Sequence, residues 1–258
     1  MVADAAPQPT ERSRRRSGAR RAAMTAGTAL ATALGATALV LGPGAFSGAG
    51  ASGAPNATVT LAQGIDDAAS VDVLLDGEIC ALRGVGYASI SQRLALPAGE
   101  HTLTILPSNG ACSSDEAPLA STTVVAPAGA DLAVAARPAA DGGGGVVSVQ
   151  ETDLSALPAF TTRIRVVNQT PGAISASVTR VTNNNTPLVV DGLAPGGSTP
   201  AAAVTRGAHV VAVTTAWGTL SADVDLQERR VVDVYVTGGD AADGRLVIDT
   251  QLADNAVL

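Results

Sequence analysis

The sequence predicts an all-β protein: two tandem antiparallel β-sandwich domains of the immunoglobulin-like kind, which follow an N-terminal signal segment. Three observations lead to this prediction. Short strand-like runs recur along the chain, turn residues separate them, and a basic and then uncharged leader precedes the first run. No convincing helical periodicity of apolar residues follows that leader.

The leader has the anatomy of a signal peptide. A basic region containing six Arg comes first, an uncharged run from Ala22 to Leu41 follows, and a Gly-Pro-Gly breaker and an A-x-A cleavage motif at residues 49–51 close it. We therefore predict a signal peptide over residues 1–51 and an extracytoplasmic location, either secreted or associated with the cell envelope. Twenty uncharged residues are also long enough to span a bilayer, so a retained membrane anchor stays open. The choice between Sec and twin-arginine export stays open as well.

Strand signals fill the rest of the chain. The first half predicts strands at residues 57–61, 70–75, 92–96, 101–106, 119–125, 131–136 and 146–150. The second half predicts them at residues 162–167, 174–181, 187–190, 201–204, 209–215, 220–226, 231–236 and 245–249. Gly and Pro occupy the breaks, as turns require. Short strands spaced by about ten residues are typical of a sandwich, and we place the domains at 55–153 and 160–252.

The two halves also resemble each other. Residues 96–103 (LPAGEHTL) match residues 204–211 (VTRGAHVV) at an offset of 108, which aligns His101 with His209. Residues 131–134 match residues 231–234 at an offset of 100. These matches predict a tandem duplication.

Charge argues against a nucleic-acid partner. The whole chain carries a net charge of −7 and contains no Lys. After residue 54, ten Arg stand against 21 acidic residues, which gives −11. Binding to nucleic acid requires a basic surface that displaces counterions, so no such partner is predicted.

Cys80 and Cys112 are the two cysteines of the chain. In an exported protein such a pair more often forms a disulfide than a metal site. The bond would close a loop of about thirty residues, worth roughly 3–4 kcal/mol in the chain-entropy model. Two free thiols are the alternative. A zinc site is excluded because this domain offers only His101 as a further Cys or His ligand.

The sequence predicts neither catalysis nor a cofactor. It has no G-x-S-x-G motif to expose a nucleophilic serine. Since His101 and His209 fall at equivalent positions of two domains, they are predicted to be separate strand residues and not a pair of ligands or a general base.

A run of acidic residues in the first half offers a calcium alternative. Carboxylates at the loop tips of a sandwich could bind Ca²⁺ through hard oxygen ligands. Strand alternation argues against it, because Asp72 projects opposite to Val71 and Val73 and is predicted to face solvent. The residues concerned are Asp66, Asp67, Asp72, Asp76 and Glu78. We therefore predict no metal site.

Trp217 is the single tryptophan of the chain. It falls in Ala216-Trp217-Gly218, at a predicted turn between two strands. An exposed aromatic side chain there would serve as a sugar-stacking platform or as an anchor for a partner, which makes Trp217 the candidate recognition residue. The alternative is that its ring plugs one end of the second core.

Several segments resemble the DUF4397 group, a family of bacterial secreted domains of unknown function that is common in actinobacteria. Residues 70–77 (SVDVLLDG) and 94–103 (LALPAGEHTL) are similar to the family patterns VDVYVDG and LPAGxYxVxV, and residues 163–171 (RIRVVNQTP) to RVRVVHASPD. The second copy departs from the pattern, with Asp-Gly at residues 191–192 and Arg-Gly at residues 206–207. The resemblance implies an exported β-sandwich and supplies no catalytic residue.

The sequence thus predicts an exported, non-catalytic binding or adhesion module of the cell envelope or the extracellular space. Its partner would be an unidentified envelope protein or glycan, and the membrane only if the leader is retained. A purely structural surface protein is the alternative, and a hydrolase is disfavoured because no set of nucleophile, base and orienting residue is evident.

Overall fold

The computed structural model describes residues 54–109, 111–140, 143–240 and 242–254. The predicted signal peptide at residues 1–51 lies outside them. None of the described residues is in an α-helix, and they contain no helix long and apolar enough to cross a membrane. The chain is all-β in this part, as the sequence predicts.

The first half forms two sheets that face each other across a core. Sheet A has the order β4-β1-β8-β9, and β5 also pairs with β1; sheet B has the order β3-β2-β6-β7. The strands are β1 (Ala57–Gln63), β2 (Ser70–Leu75), β3 (Ile79–Gly86), β4 (Ser89–Ile90), β5 (Leu94–Leu96), β6 (Gly99–Pro107), β7 (Ala120–Ala126), β8 (Asp131–Pro138) and β9 (Gly145–Glu151).

The second half repeats this arrangement with its own pair of sheets. Sheet C has the order β13-β10-β16-β17, and sheet D has the order β12-β11-β14-β15. The strands are β10 (Thr161–Asn168), β11 (Ile174–Arg180), β12 (Leu188–Leu193), β13 (Ala202–Thr205), β14 (Gly207–Thr215), β15 (Gly218–Leu226), β16 (Arg230–Thr237) and β17 (Arg245–Leu252).

One strand pair in each half runs parallel. β1 pairs with β8 in parallel, and β10 pairs with β16 in the same way. The prediction of purely antiparallel sandwiches is therefore wrong for these pairs. β4 and β5 both run antiparallel to β1, so they form one interrupted strand. When these two are counted as one, the chain reverses direction at each connection from β1 to β8. β8 consequently enters sheet A in the same direction as β1.

The strand β3 was not predicted from the sequence. Its pairing with β2 contains two register shifts, and Gly84 adopts a positive φ of 63°. Bulges break the alternation of inward and outward side chains, so the segment lacks the period of two that identifies strands. The strand predicted at residues 92–96 is shorter in the structure, where β5 covers only Leu94–Leu96.

Each sandwich has an aliphatic core between its two sheets. In the first, alternate residues of β1 such as Val59 and Leu61 meet Val71, Val73 and Ile105 of sheet B. In the second, Ile164 and Val166 of β10 hold the corresponding places. Strand alternation therefore sends the intervening residues of β1 and β10 to the opposite faces of sheets A and C.

Those opposite faces pack against each other. Ala62 and Ala135 of sheet A form one buried cluster with Val167 and Tyr235 of sheet C. Gln169 strengthens this contact, because its Nε2 donates to the carbonyl oxygens of Ala62 (2.8 Å) and Ala136 (3.2 Å). All described residues accordingly belong to one compact unit.

A buried ion pair holds the other end of the same interface. Arg165 and Asp233 are opposite each other in the parallel β10–β16 pair. The guanidinium donates to both carboxylate oxygens, at 2.9 and 2.6 Å, and also to the carbonyl of Glu151 and the hydroxyl of Thr152 at the end of the first half. Burial opposes the charge on Arg165, yet the hydrogen bonds and charge of Asp233 prevail and raise its pKa.

Candidate recognition groove

Loops of the second sandwich form a groove at one end of the molecule. The β10–β11 connection, the β14–β15 turn and the β16–β17 connection meet there. The groove has a volume of about 220 Å³, and small or apolar residues provide most of its lining. These residues are Thr170, Pro171, Gly172, Ala173, Thr215, Ala216, Trp217 and Gly239.

Trp217 is held in the groove from two sides. In the β14–β15 turn, the Thr215 hydroxyl accepts a hydrogen bond from the Trp217 backbone N–H (3.3 Å) and donates one to the Gly218 carbonyl (2.9 Å). The six-membered ring of the indole lies against Gly244, where an added Cβ would come within 2.2 Å of Cη2. The side chain stays partly exposed. It therefore covers Gly244 and also offers surface to the groove, so its recognition role stays a prediction.

The wall opposite Trp217 depends on Asn168, which is fully buried at the end of β10. Its Nδ2 donates to the carbonyl oxygens of Gly172 (2.8 Å) and Leu193 (2.9 Å). Its Oδ1 accepts from the backbone N–H and the hydroxyl of Thr170, both at 2.8 Å. Sequence reasoning did not single out Asn168. An amide at the end of an apolar strand run was the available signal.

The first sandwich reaches the same end of the molecule. The Tyr87 hydroxyl donates to the Asp243 carbonyl (3.1 Å), and a Cβ added to Gly239 would lie 2.7 Å from Oδ2 of Asp66. Burial raises the pKa of Asp66, and the charges of Asp67 and Asp243 act in the same direction. Backbone N–H donors lower the pKa of Asp240. The Asp66 carboxylate of the first sandwich thus lies beside Gly239, which lines the groove.

The two histidines occupy different surroundings. His101 bonds through Nδ1 to Asp76 Oδ2 (2.8 Å) and through Nε2 to the Pro97 carbonyl (3.0 Å). His209 is buried, and its Nδ1 bonds to the Gly207 carbonyl (2.8 Å). Among the described residues, neither ring is paired with a hydroxyl or a thiol. This geometry supplies no activated nucleophile.

The structure joins Cys80 and Cys112 in a disulfide, with Cα atoms 5.9 Å apart. The bond fixes the β6–β7 connection against the outer face of sheet B, where Leu74, Leu106 and Cys112 are buried together.

Asp72 lies beneath that cover. It is 1% exposed, and its Oδ1 accepts a hydrogen bond from the Gly84 backbone N–H (2.7 Å). The prediction that Asp72 faces solvent is wrong, because the disulfide-held connection shields this face. Asp72 and the two cysteines have ligand atoms within 4.8 Å of one another, but both sulfur atoms are already bonded.

Comparison with known proteins places these observations. A search of curated sequences found no relative of this chain. A family 26 carbohydrate-binding module from Eubacterium rectale, solved in complex with maltoheptaose, is 13% identical, with 77% of this chain and 98% of that module covered and a TM-score of 0.23. A candidate cell adhesion protein from Bacteroides ovatus is 11% identical, with 76% and 95% covered and a TM-score of 0.21.

One family model matches the chain from the first residue of β1 through the first sandwich to β11 in the second. It is the model of DUF4397, a domain of unknown function, and it matches residues 57–179.

Proposed function

We propose that the protein is an exported, non-catalytic binding module, secreted or held in the cell envelope, and that its groove beside Trp217 binds a glycan. The carrying observation is the position of Trp217, which is partly exposed in a preformed groove. The two sandwiches, at residues 55–153 and 160–252, are proposed to be tandem copies, and together they would support the loops that form the groove.

The chemistry of the groove suits a sugar. The indole provides a flat apolar surface with few rotatable bonds, against which the C–H face of a sugar ring can stack. The Asp66 carboxylate beside Gly239 can accept hydrogen bonds from sugar hydroxyl groups. Drug-sized ligands commonly occupy pockets of about 300–1,000 Å³. The smaller volume here, about 220 Å³, favours contact with a single unit of a longer chain.

The proposed location outside the cytoplasm has two supports. The leader has the order of a signal peptide, and the Cys80–Cys112 disulfide belongs to a type of bond that persists in oxidising compartments.

The proposal is tested by probing the full chain on an array of neutral glycans, with Trp217→Ala as the variant. We expect glycans that bind the wild type to lose at least tenfold in affinity on Trp217→Ala. Val125→Ala is the control, because it removes an apolar side chain that is 68% exposed on β7 of the first sandwich and that does not line the groove.

Two results would contradict the proposal. Binding of a neutral glycan that is unchanged by Trp217→Ala would show that the groove does not recognise it. If no glycan binds the wild type and the protein fractionates with the envelope, the purely structural alternative would replace it.

A further inference from the structure

A second cleft lies at the end of the second sandwich opposite the Trp217 groove. The β13–β14 and β15–β16 turns and the end of β17 surround it, and its volume is about 510 Å³. Charged side chains dominate its lining, which includes Arg206, Asp225, Glu228, Arg229, Arg230 and Leu252. We call it the arginine cleft.

The arginine cleft concentrates positive charge on an acidic protein. Three of the ten Arg that follow residue 54 line it, although that part of the chain carries a net charge of −11. Arg206 is already paired with Glu228 at 3.2 Å. Within the part of the chain that the structure describes, the guanidinium groups of Arg229 and Arg230 have no ion pair or hydrogen bond. The buried Nε of Arg229 also lacks an acceptor there.

The backbone around the arginine cleft is held in unusual conformations. Phe160 and Arg229 both have a positive φ, 62° and 58°, which residues with side chains adopt at a cost. Each is fixed by a backbone hydrogen bond: Arg206 N–H donates to the Phe160 carbonyl, and Arg229 N–H donates to the Thr161 carbonyl, both at 2.8 Å. The surrounding structure therefore presents the Arg229 side chain from a defined position.

Apolar surface accompanies the charges. Phe160 is 56% exposed, and the Arg206 guanidinium lies 4.6 Å from the centroid of its ring. Leu252, in the lining itself, is 52% exposed. A ligand of this cleft can therefore combine an anionic group with an apolar face.

The acidic residues in the lining of the arginine cleft limit the kinds of ligand that it can bind. Guanidinium groups bind carboxylates through paired hydrogen bonds. Asp225 and Glu228, in the same lining, would repel a ligand with many negative charges but would accept hydrogen bonds from hydroxyl groups. A uronic acid unit combines one carboxylate, several hydroxyls and an apolar ring face. We propose that the arginine cleft binds a carboxylate-bearing sugar, with Arg229 and Arg230 holding the carboxylate.

Calorimetric titration of the full chain with trigalacturonate tests this proposal. We expect binding that weakens at least tenfold for the Arg229→Gln/Arg230→Gln variant and that falls as NaCl rises from about 50 to 500 mM. Arg83→Gln/Arg245→Gln is the matched control, because it also removes two positive charges, from β3 and from the start of β17, outside the arginine cleft. Thermal unfolding of each variant verifies that it is folded.

The outcomes separate this site from the groove. Loss of trigalacturonate binding on Trp217→Ala, with no change for the arginine double variant, would overturn the assignment to the arginine cleft. Equal affinity for neutral galactotriose would show that the carboxylate is not recognised. Equal affinity for a short peptide with a free carboxyl end would show that the sugar is not required. Absence of any trigalacturonate binding would also refute the proposal.

Discussion

At Gly244, the absence of a side chain leaves room for the indole of Trp217. A Cβ there would come within 2.2 Å of the ring, so any larger residue must displace it. We expect Gly244→Ala to destabilise the fold by about 1–3 kcal/mol through overpacking and to change the emission of the single Trp. Denaturant unfolding followed by fluorescence measures both effects.

Gly172→Ala is the control for that substitution. Gly172 lies in the same groove, but an added Cβ would meet nothing within 4 Å. Unchanged emission for Gly244→Ala would contradict the packing described for Trp217.

His101 and Asp76 form a pair whose contribution depends on pH. The hydrogen bond to Asp76 raises the pKa of His101, and the hydrogen bond to His101 lowers the pKa of Asp76. The stabilisation is therefore fully present between about pH 4 and 6.5. It is lost as the pH rises through the folded pKa of His101 or falls through that of Asp76.

We expect Asp76→Asn to return the pKa of His101 toward its usual range, as NMR titration of the imidazole would record. Glu78→Gln is the control variant, because it removes a neighbouring carboxylate and leaves the hydrogen bond between Asp76 and His101 in place. A His101 titration curve identical in wild type and variant would disprove the pairing.

The strand pair β10–β16 carries the next prediction, at the scale of secondary structure elements. Removing one partner of a buried ion pair leaves an uncompensated charge, which commonly costs about 3–5 kcal/mol. We expect Arg165→Met to lower the unfolding free energy by this amount, because Asp233 is only 2% exposed. Chemical denaturation gives the value.

The double variant Arg165→Met/Asp233→Leu completes that experiment. It replaces both charges with apolar groups, so most of the lost stability should return. If the double variant is as unstable as the sum of its single changes, the two side chains are not coupled.

The disulfide-held connection between β6 and β7 makes a second prediction at this scale. Closing a loop with a sequence separation of 32 stabilises the fold by about 3–4 kcal/mol in the chain-entropy model. We expect Cys80→Ser/Cys112→Ser to lose up to this amount and to uncover Leu74 and Leu106, which a dye for exposed apolar surface would detect. Wild-type stability in the double variant would contradict the covering role.

The elements also show what the sequence could predict. Strands with regular alternation, such as β6 and β14, follow from the period of two. The matched segments at an offset of 108 run from the end of β5 into β6 and from the end of β13 into β14. Bulges hid β3. The burial of Asp72 and the contact of Trp217 with Gly244 depend on residues distant along the chain, and alternation within a strand contains no information about such contacts.

At the scale of the whole molecule, the two sandwiches share a buried interface. Ala62, Ala135, Val167 and Tyr235 form its apolar part, and burial raises the pKa of Tyr235, so its phenol stays protonated at physiological pH. We expect a single cooperative unfolding transition in calorimetry, because separating the halves would expose this cluster together with Arg165 and Gln169.

Gln169→Ala is the variant for that expectation. It removes the two hydrogen bonds to the first sandwich, and we expect the transition to broaden or split. Two resolved transitions in the wild type would show that the halves unfold independently.

The start of β1 and the end of β17 determine which part of the molecule would point away from an attachment point at either strand end. Pro55 accepts a backbone hydrogen bond from Gly129, and residues 129–131 line one cleft together with Asp254. The first and last described strands therefore begin and end beside each other, at the end of the molecule away from Trp217. A support attached through either of these strand ends would leave the Trp217 groove at the distal tip, free to meet a partner in solution or on a neighbouring cell.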